Sequence, residues 1–123
     1  MKRILIIEDE ECLLMMMAET LQMLGYTALS AADGACGVQM AIAEQPDFIF
    51  CDLNMPGIDG IETLKMIRQT ASTANIPFVL LSGFADPAIR RQAAKLGAAD
   101  FLIKPLSSAE LLSTLNSRMN KAA

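Results

Sequence analysis

Four short apolar runs, each leading directly into charged or hydroxyl residues, constrain the fold of this chain more than any other feature. The clearest is Phe48-Ile49-Phe50-Cys51, which ends at Asp52 and precedes a Pro-Gly turn. The other three are residues 4–7 before Glu8 and Asp9, 77–81 before Ser82, and 101–103 before Lys104. Continuous apolar runs of this length are typical of strands that are buried on both faces of a parallel sheet.

Helical periodicity and capping residues separate these runs. A helix is predicted from about residue 11 to 24, with Met16 and Met17 among its inward residues and Gly25 as its stop. Residues 26–30 are more mixed and predict a strand near the sheet edge. Four further helices are predicted to begin at Asp33, Asp59, Asp86 and Ser107 or Ser108, all good N-cap residues. The alternation predicts an α/β fold: one doubly wound, five-stranded parallel sheet with five helices and right-handed crossovers.

The polar residues that follow the strands are predicted to meet at one edge of the sheet. Parallel strands all present their carboxyl ends to the same edge, where ligands of open α/β sheets bind. Carboxylates converging there repel one another unless a cation joins them, and an oxygen-only donor set suits Mg²⁺. Asp52 could then act as a nucleophile toward phosphorus, with Lys104 as a point charge and Ser82 as a hydroxyl donor. The residues predicted to converge are Glu8, Asp9, Asp52, Ser82 and Lys104.

Composition excludes several other kinds of site. The 123 residues suffice for one domain, and they include no histidine and three widely spaced cysteines, which argues against a zinc site or a disulfide framework. The net charge of −4 makes nucleic acid an unexpected direct partner. No apolar run approaches the roughly 18 residues that a membrane span needs. We therefore expect a cytoplasmic protein.

Four segments, in order along the chain, resemble the response-regulator receiver domains of two-component signalling, and in particular the chemotaxis-regulator type. They are residues 4–10 (ILIIEDE), 52–60 (DLNMPGIDG), 81–83 (LSG) and 97–105 (GAADFLIKP). The resemblance extends over essentially the whole chain, so residues 1–123 are expected to form one receiver domain. It implies the flavodoxin-like strand order 2-1-3-4-5.

The resemblance also implies a role for each site residue. Asp52 would accept a phosphoryl group from a phosphohistidine on a sensor kinase or phosphotransfer protein. Asp9, Asp52 and the backbone carbonyl of Asn54 would bind Mg²⁺, with Glu8 assisting. Ser82 and Lys104 would contact the phosphoryl group. Phe101 would form an aromatic switch with Ser82, and the Lys104–Pro105 peptide bond would be cis.

The sequence also predicts a docking surface and partners, and it leaves alternative functions open. On the first helix, Leu14, Met15, Ala18 and Met23 are predicted to lie off the inward face and to dock the histidine-bearing partner. A downstream output protein or domain is expected as well. The chain would catalyse its own phosphorylation and dephosphorylation without being a conventional turnover enzyme. Three alternatives stay open: a truncated N-terminal receiver of a larger regulator or kinase, a flavodoxin-like flavin carrier, and an aspartyl-phosphate hydrolase.

Overall fold

The computed structural model describes residues 2–119, so Met1 and residues 120–123 of the predicted domain lie outside the described part. Strands and helices alternate along the chain as the sequence predicts. The strands are β1 (Arg3–Ile7), β2 (Thr27–Ala31), β3 (Phe48–Asp52), β4 (Phe78–Ser82) and β5 (Asp100–Ile103). The helices are α1 (Glu11–Met23), α2 (Gly34–Glu44), α3 (Gly60–Gln69), α4 (Pro87–Lys95) and α5 (Ser108–Met119).

The five strands form one parallel sheet in the order β2-β1-β3-β4-β5, which confirms the predicted fold. β3 and β4 are buried along their whole length, while β2, at the edge, is partly exposed. In the register of the central strands, Asp52 lies beside Leu81 and Ser82 beside Ile103. The polar ends of neighbouring strands therefore come nearly level at the carboxyl edge.

Alternate residues of the strands pack into two apolar clusters on opposite faces of the sheet. Leu5, Ile49 and Leu80 belong to the cluster that α2, α3 and α4 cover. Phe50 and Leu81 belong to the cluster that α1 and α5 cover. Because both faces are covered, residues 48–51 of β3 and 78–81 of β4 are all apolar, which is why the runs in the sequence are continuous.

Side-chain caps begin the helices where the sequence predicts them. The carboxylates of Asp33, Asp59 and Asp86 each accept a hydrogen bond from a backbone N–H in the first turn of the following helix. At the start of α5, the Ser107 hydroxyl accepts from the backbone N–H of Glu110, whose carboxylate accepts from that of Ser107. This reciprocal pair is a capping box.

The predicted orientation of α1 is wrong in part. Met16, predicted to face inward, is 64% exposed. Leu14 and Ala18, predicted to lie off the inward face, pack against the apolar cluster instead, beside the buried Met17. Residues 13–17 are all apolar, so periodicity alone cannot tell which side of the helix meets the sheet. Met15 is exposed as predicted.

Arg68, on α3, connects the segments at the amino edge of the sheet, opposite the carboxyl edge where the polar strand ends lie. Its guanidinium donates hydrogen bonds to the carbonyl of Ile76 at 2.7 Å and to the carbonyl of Gly97 at 2.8 and 3.2 Å. Burial lowers the pKa of Arg68. Gly97 ends α4 with a φ of +96°, a conformation that favours glycine. Arg68 therefore links α3 to the segments that lead into β4 and β5.

Candidate functional site

Three carboxylates meet at the carboxyl edge of the sheet. Glu8 and Asp9 follow β1, and Asp52 is the last residue of the neighbouring strand β3. One carboxylate oxygen from each lies within 4.8 Å of the other two. Glu8 and Asp52 are buried, whereas Asp9 is exposed, so the cluster opens to solvent on the Asp9 side. The structure thus brings together the acids that the sequence predicts.

Lys104 supplies the opposite charge. It follows β5, and its Nζ lies 3.0 Å from Asp52 Oδ1 and 3.3 Å from Glu8 Oε1. The backbone N–H of Lys104 also donates to the Ser82 carbonyl at 2.7 Å, which fixes the start of this segment against the end of β4. The ammonium group therefore bridges the two buried carboxylates.

The charges of this cluster affect one another. Burial raises the pKa of Glu8, and the nearby Asp52 charge raises it further, although the Glu10 backbone N–H and Lys104 act in the opposite direction. Burial alone would lower the pKa of Lys104, but its hydrogen bonds and ion pairs with Asp52 and Glu8 outweigh burial and raise the pKa. Lys104 is thus held as a cation, and a second cation near Glu8 would favour the ionised carboxylate.

The Ser82 hydroxyl is directed into its own loop. Ser82 is buried at the end of β4, and its Oγ donates to the Phe84 carbonyl at 2.8 Å and accepts from the Phe84 backbone N–H at 3.3 Å. Within residues 2–119, these are its side-chain hydrogen bonds. Asn54 lies exposed in the loop after β3, two residues beyond Asp52. Ser82 and Asn54 therefore share the edge with the cluster, and the Ser82 hydroxyl makes no hydrogen bond to it.

Phe101, the predicted aromatic switch, is buried on β5 with 3% of its surface exposed. The Arg90 guanidinium lies 5.6 Å from its ring centroid and donates to its backbone carbonyl at 3.1 Å. The sequence does not indicate this contact, because an exposed arginine on a helix ordinarily points to solvent. The Lys104–Pro105 peptide bond is cis, as the resemblance implies.

Gly60 is a second residue whose importance the sequence analysis missed. Its N–H donates to the Leu53 carbonyl at 2.8 Å, and a Cβ added there would lie 2.6 Å from the Asp52 carbonyl oxygen. Real Cβ atoms essentially never come so close to a backbone atom. The absence of a side chain therefore lets α3 begin directly against the end of β3 and set the position of Asp52.

The donor atoms of the cluster fit a hard divalent cation. They are carboxylate oxygens from three side chains, close enough to share one ion and partly open to water. Mg²⁺ prefers one or two carboxylates together with waters and other oxygen ligands, and His and Cys, which favour zinc, do not contribute here. The cluster is thus an acidic pocket with the right chemistry for the predicted Mg²⁺.

Sheet order, carboxylate cluster and facing lysine together define a CheY-like α/β protein. The chain belongs to the response regulator receiver domain family, whose family model matches residues 4–116. This confirms the resemblance and places the chain among the proteins of two-component signalling. It leaves the flavin-carrier and hydrolase alternatives without support.

Individual relatives agree with this assignment. The DNA-binding dual master transcriptional regulator RpaA of Synechocystis is 33% identical over 98% of this chain and 50% of its own length. Protein PilH of Pseudomonas aeruginosa is 31% identical over 94% of this chain and 96% of its own. The structure of the chemotaxis protein CheY4 of Vibrio cholerae superposes with a TM-score of 0.91 at 31% identity, covering 95% of this chain and 98% of that one.

The relatives bear on partners as well. The chain spans about half the length of RpaA and of two related regulators named ycf27. Receiver domains interact with kinases and output domains, as predicted. The expectation that nucleic acid is not a partner is unsupported, because RpaA is named as a DNA-binding protein. No helix within residues 2–119 is long and apolar enough to cross a membrane.

Proposed function

We propose that this domain accepts a phosphoryl group on Asp52 from a phosphohistidine of a sensor kinase or phosphotransfer protein. The observation that carries the proposal is the contact of Lys104 Nζ with Asp52 Oδ1 at 3.0 Å, inside a cluster of three carboxylates. An isolated buried carboxylate would be protonated or paired for structure alone. Here one oxygen of Asp52 is paired with a cation, and its neighbours Glu8 and Asp9 could hold a second cation.

In the proposed reaction, a carboxylate oxygen of Asp52 forms a bond to phosphorus while the bond between phosphorus and the histidine nitrogen breaks. The imidazole leaves with the electron pair of that bond. Lys104, already at hydrogen-bond distance, would pair with a phosphoryl oxygen as negative charge arrives beside Asp52. Mg²⁺ held by Glu8, Asp9, Asp52 and the Asn54 carbonyl would supply further charge neutralisation.

Ser82 would then transmit the change. To donate to a phosphoryl oxygen on Asp52, its hydroxyl must leave the Phe84 carbonyl, to which it now donates. Phe84 would lose its local partner, and the loop between β4 and α4 would be free to rearrange. Phe101, on the neighbouring strand β5, already has its ring buried, so its part in the proposed switch would be to permit the rearranged loop rather than to drive it. The surface that changes in this way would bind the output protein or domain.

The kinase or phosphotransfer partner would dock beside the site on α1. Met15 and Met16 are 55% and 64% exposed, and exposed methionines adapt well to a partner surface. Met16 also lines a groove of about 90 Å³ that reaches Lys104 and Pro105. A protein that covers this groove would bring its histidine to the edge where Asp52 lies.

Intact mass after incubation with a small acyl phosphate tests the acceptor. We expect one phosphoryl adduct that requires Mg²⁺ and is absent from Asp52→Asn. Asp47→Asn, a similar change at the other end of β3, is the matched control and should still form the adduct. An adduct that persists in folded Asp52→Asn would refute the assignment. Because the proposed reaction modifies the domain itself, phosphate release after removal of the donor should match the decay of the adduct.

Phosphotransfer from a histidine-bearing partner tests the docking surface. Met15→Glu together with Met16→Glu should slow transfer at least tenfold while leaving the reaction with the small acyl phosphate unchanged. Met66→Glu adds a carboxylate at an exposed methionine of α3, on the opposite face of the sheet from α1, and should transfer at the wild-type rate. Equal transfer rates for all three proteins would rule out docking on α1.

A further inference from the structure

A cleft is present between α4 and β5, and none of the carboxylates of the acidic cluster lines it. Its volume is about 160 Å³, and it is lined by Arg90, Ala93 and Ala94 of α4 and by residues 98–101. Its floor is apolar, because Ala93 is 1% exposed and Phe101 is 3% exposed. Pockets that enclose a small-molecule ligand usually measure roughly 300–1,000 Å³, so this cleft has room for little more than one aliphatic side chain.

The charges of this chain are distributed unevenly along it. Residues 4–64 contain no lysine or arginine, and they contain eleven of the fourteen acidic residues. Three of the ten basic residues, Arg90, Arg91 and Lys95, lie on α4, and residues 87–95 include no acid. All three are exposed. A chain with a net charge of −4 therefore presents a basic surface beside the cleft.

The basic side chains of this surface have donors that the domain does not use. Arg90 donates one side-chain hydrogen bond, to the Phe101 carbonyl at 3.1 Å, and a guanidinium carries five N–H groups. Arg91 and Lys95 make no ion pair and no side-chain hydrogen bond within residues 2–119. These charges are thus available to a partner.

Asp100, the one acid among the lining residues, does not neutralise them. Its Oδ1 accepts a hydrogen bond from the Phe101 N–H at 2.8 Å, and its Oδ2 lies 3.4 Å from Nη2 of Arg118. The carboxylate is therefore already paired. The cleft combines an apolar floor with an unbalanced positive rim, which attracts acidic groups and repels basic ones.

An acidic protein segment that carries an aliphatic side chain matches both features. A nucleic acid would match the positive charge alone, since its bases need exposed aromatic rings to stack on, and the Phe101 ring is buried beneath Arg90. A second copy of this chain has acidic residues to offer, but two molecules that each carry a net charge of −4 repel one another.

We propose that the cleft between α4 and β5 binds an acidic segment of the output partner, with one aliphatic side chain in the cleft and carboxylates facing Arg91 and Lys95. Arg91 lies three residues before Ala94 and four before Lys95, so these side chains are neighbours on the helix surface. The inference rests on the proposed function only for the role of the partner as the output. The chemistry that recognises the partner follows from the cleft and its charges.

A nuclear magnetic resonance titration of the unphosphorylated, ¹⁵N-labelled protein with short peptides tests this proposal. The probe is the capped peptide Glu-Glu-Leu-Leu-Glu-Glu at low ionic strength, where charges are least screened. We expect the amide signals of residues 93–94 and 98–101 to shift with a Kd of about 1 mM. The same peptide with Gln in place of Glu should bind about fivefold more weakly, and the version with Lys should not bind.

Asp52→Asn should bind the probe with the wild-type Kd, so the result does not depend on whether Asp52 accepts a phosphoryl group. The proposal is overturned if these amides do not shift up to about 10 mM peptide, or if the Glu and Gln peptides bind equally well.

Variants of α4 test the position of the site. Ala94→Leu fills the cleft and should weaken binding about tenfold, whereas Ala88→Leu, the same change outside the cleft, should bind like the wild type. Arg91→Glu together with Lys95→Glu should lose the Glu peptide and gain the Lys peptide. Thermal unfolding should show that all these variants are folded. Equal binding by Ala94→Leu and Ala88→Leu would reject the cleft.

The other two occupants give different results in the same experiment. A single-stranded oligonucleotide that shifts these amides at lower concentration than the Glu peptide would assign the surface to nucleic acid. Shifts of the same amides when the protein alone is concentrated would assign it to a second copy. Either result overturns the proposal.

Discussion

Replacing Lys104 with methionine should destabilise the protein in a way that depends on pH and on divalent cations. Methionine keeps most of the apolar stem of the side chain but removes the ammonium group. Glu8 and Asp52 then remain buried beside each other, with no positive charge between them. The loss measures how much of the stability of the carboxyl edge depends on this one charge.

The size of the effect follows from distance and burial. At an effective dielectric constant of about 20, each contact near 3 Å contributes roughly 5 kcal/mol of Coulomb attraction. Much of this attraction is offset by the desolvation of three charged groups, and removing one member of a buried pair costs about 3–5 kcal/mol. The Lys104 side chain is 22% exposed, and a carboxyl can take up a proton, so we expect a loss of about 2 kcal/mol at pH 7. For a domain of this size, Tm should fall by about 8 °C.

The pH dependence follows from Glu8. Its pKa is already raised in the folded protein, and removing Lys104, which lowers that pKa, should raise it further. In the interval above the unfolded pKa of about 4.5, folded Glu8 then holds a proton that the unfolded chain releases, so stability falls as pH rises. Lys104→Met should therefore lose most stability at pH 7–8 and less near pH 5.

Urea unfolding of four proteins checks this reasoning. They are the wild type, Lys104→Met, Glu8→Gln and the double variant, each measured at pH 5 and pH 7.5 and with or without Mg²⁺. The double variant should recover at least half of the loss, because Gln removes the carboxylate that Lys104 no longer balances. Mg²⁺ should stabilise Lys104→Met more than the wild type. A loss of the same size at both pH values, with no recovery in the double variant, would refute the electrostatic explanation.

Three further changes test other parts of the structure. Gly60→Ala should cost about 3 kcal/mol in urea unfolding, because the new Cβ would meet the Asp52 carbonyl and must displace α3. Arg68→Met should cost about 2 kcal/mol by leaving two carbonyls without their charged donor, whereas exposed Arg91→Met should stay within about 0.5 kcal/mol. Ser82→Ala should lower stability by about 1 kcal/mol through its lost loop hydrogen bonds, and Ser82→Thr, which keeps the hydroxyl, should not.

The fold could be predicted from the sequence because its strongest signals are local. Apolar runs mark the strands, aspartates mark the starts of helices, and parallel geometry then places the end of every strand at one edge. The meeting of Glu8, Asp9 and Asp52 follows from that geometry alone.

Other features depend on which way a side chain turns, and that is decided by its neighbours in space. The successive apolar residues 13–17 do not indicate which side of α1 faces the sheet, and the prediction for Met16 is therefore wrong. The sequence does not distinguish an Arg90 side chain that points to solvent from one that lies over the Phe101 ring, as it does in the structure. The Ser82 hydroxyl bonds to the backbone of Phe84, and the sequence does not indicate this local partner.

The ion pair between Glu8 and Lys104 joins residues that are 96 positions apart in the chain. The residues of the acidic cluster are therefore synthesised well before the lysine that faces them. Strand β5 must be in place beside β4 before the ammonium group can reach Asp52. The proposed phosphoryl transfer to Asp52 would therefore require the complete sheet. A chain that lacks β5 in its place should accept no phosphoryl group, even though it carries Asp52.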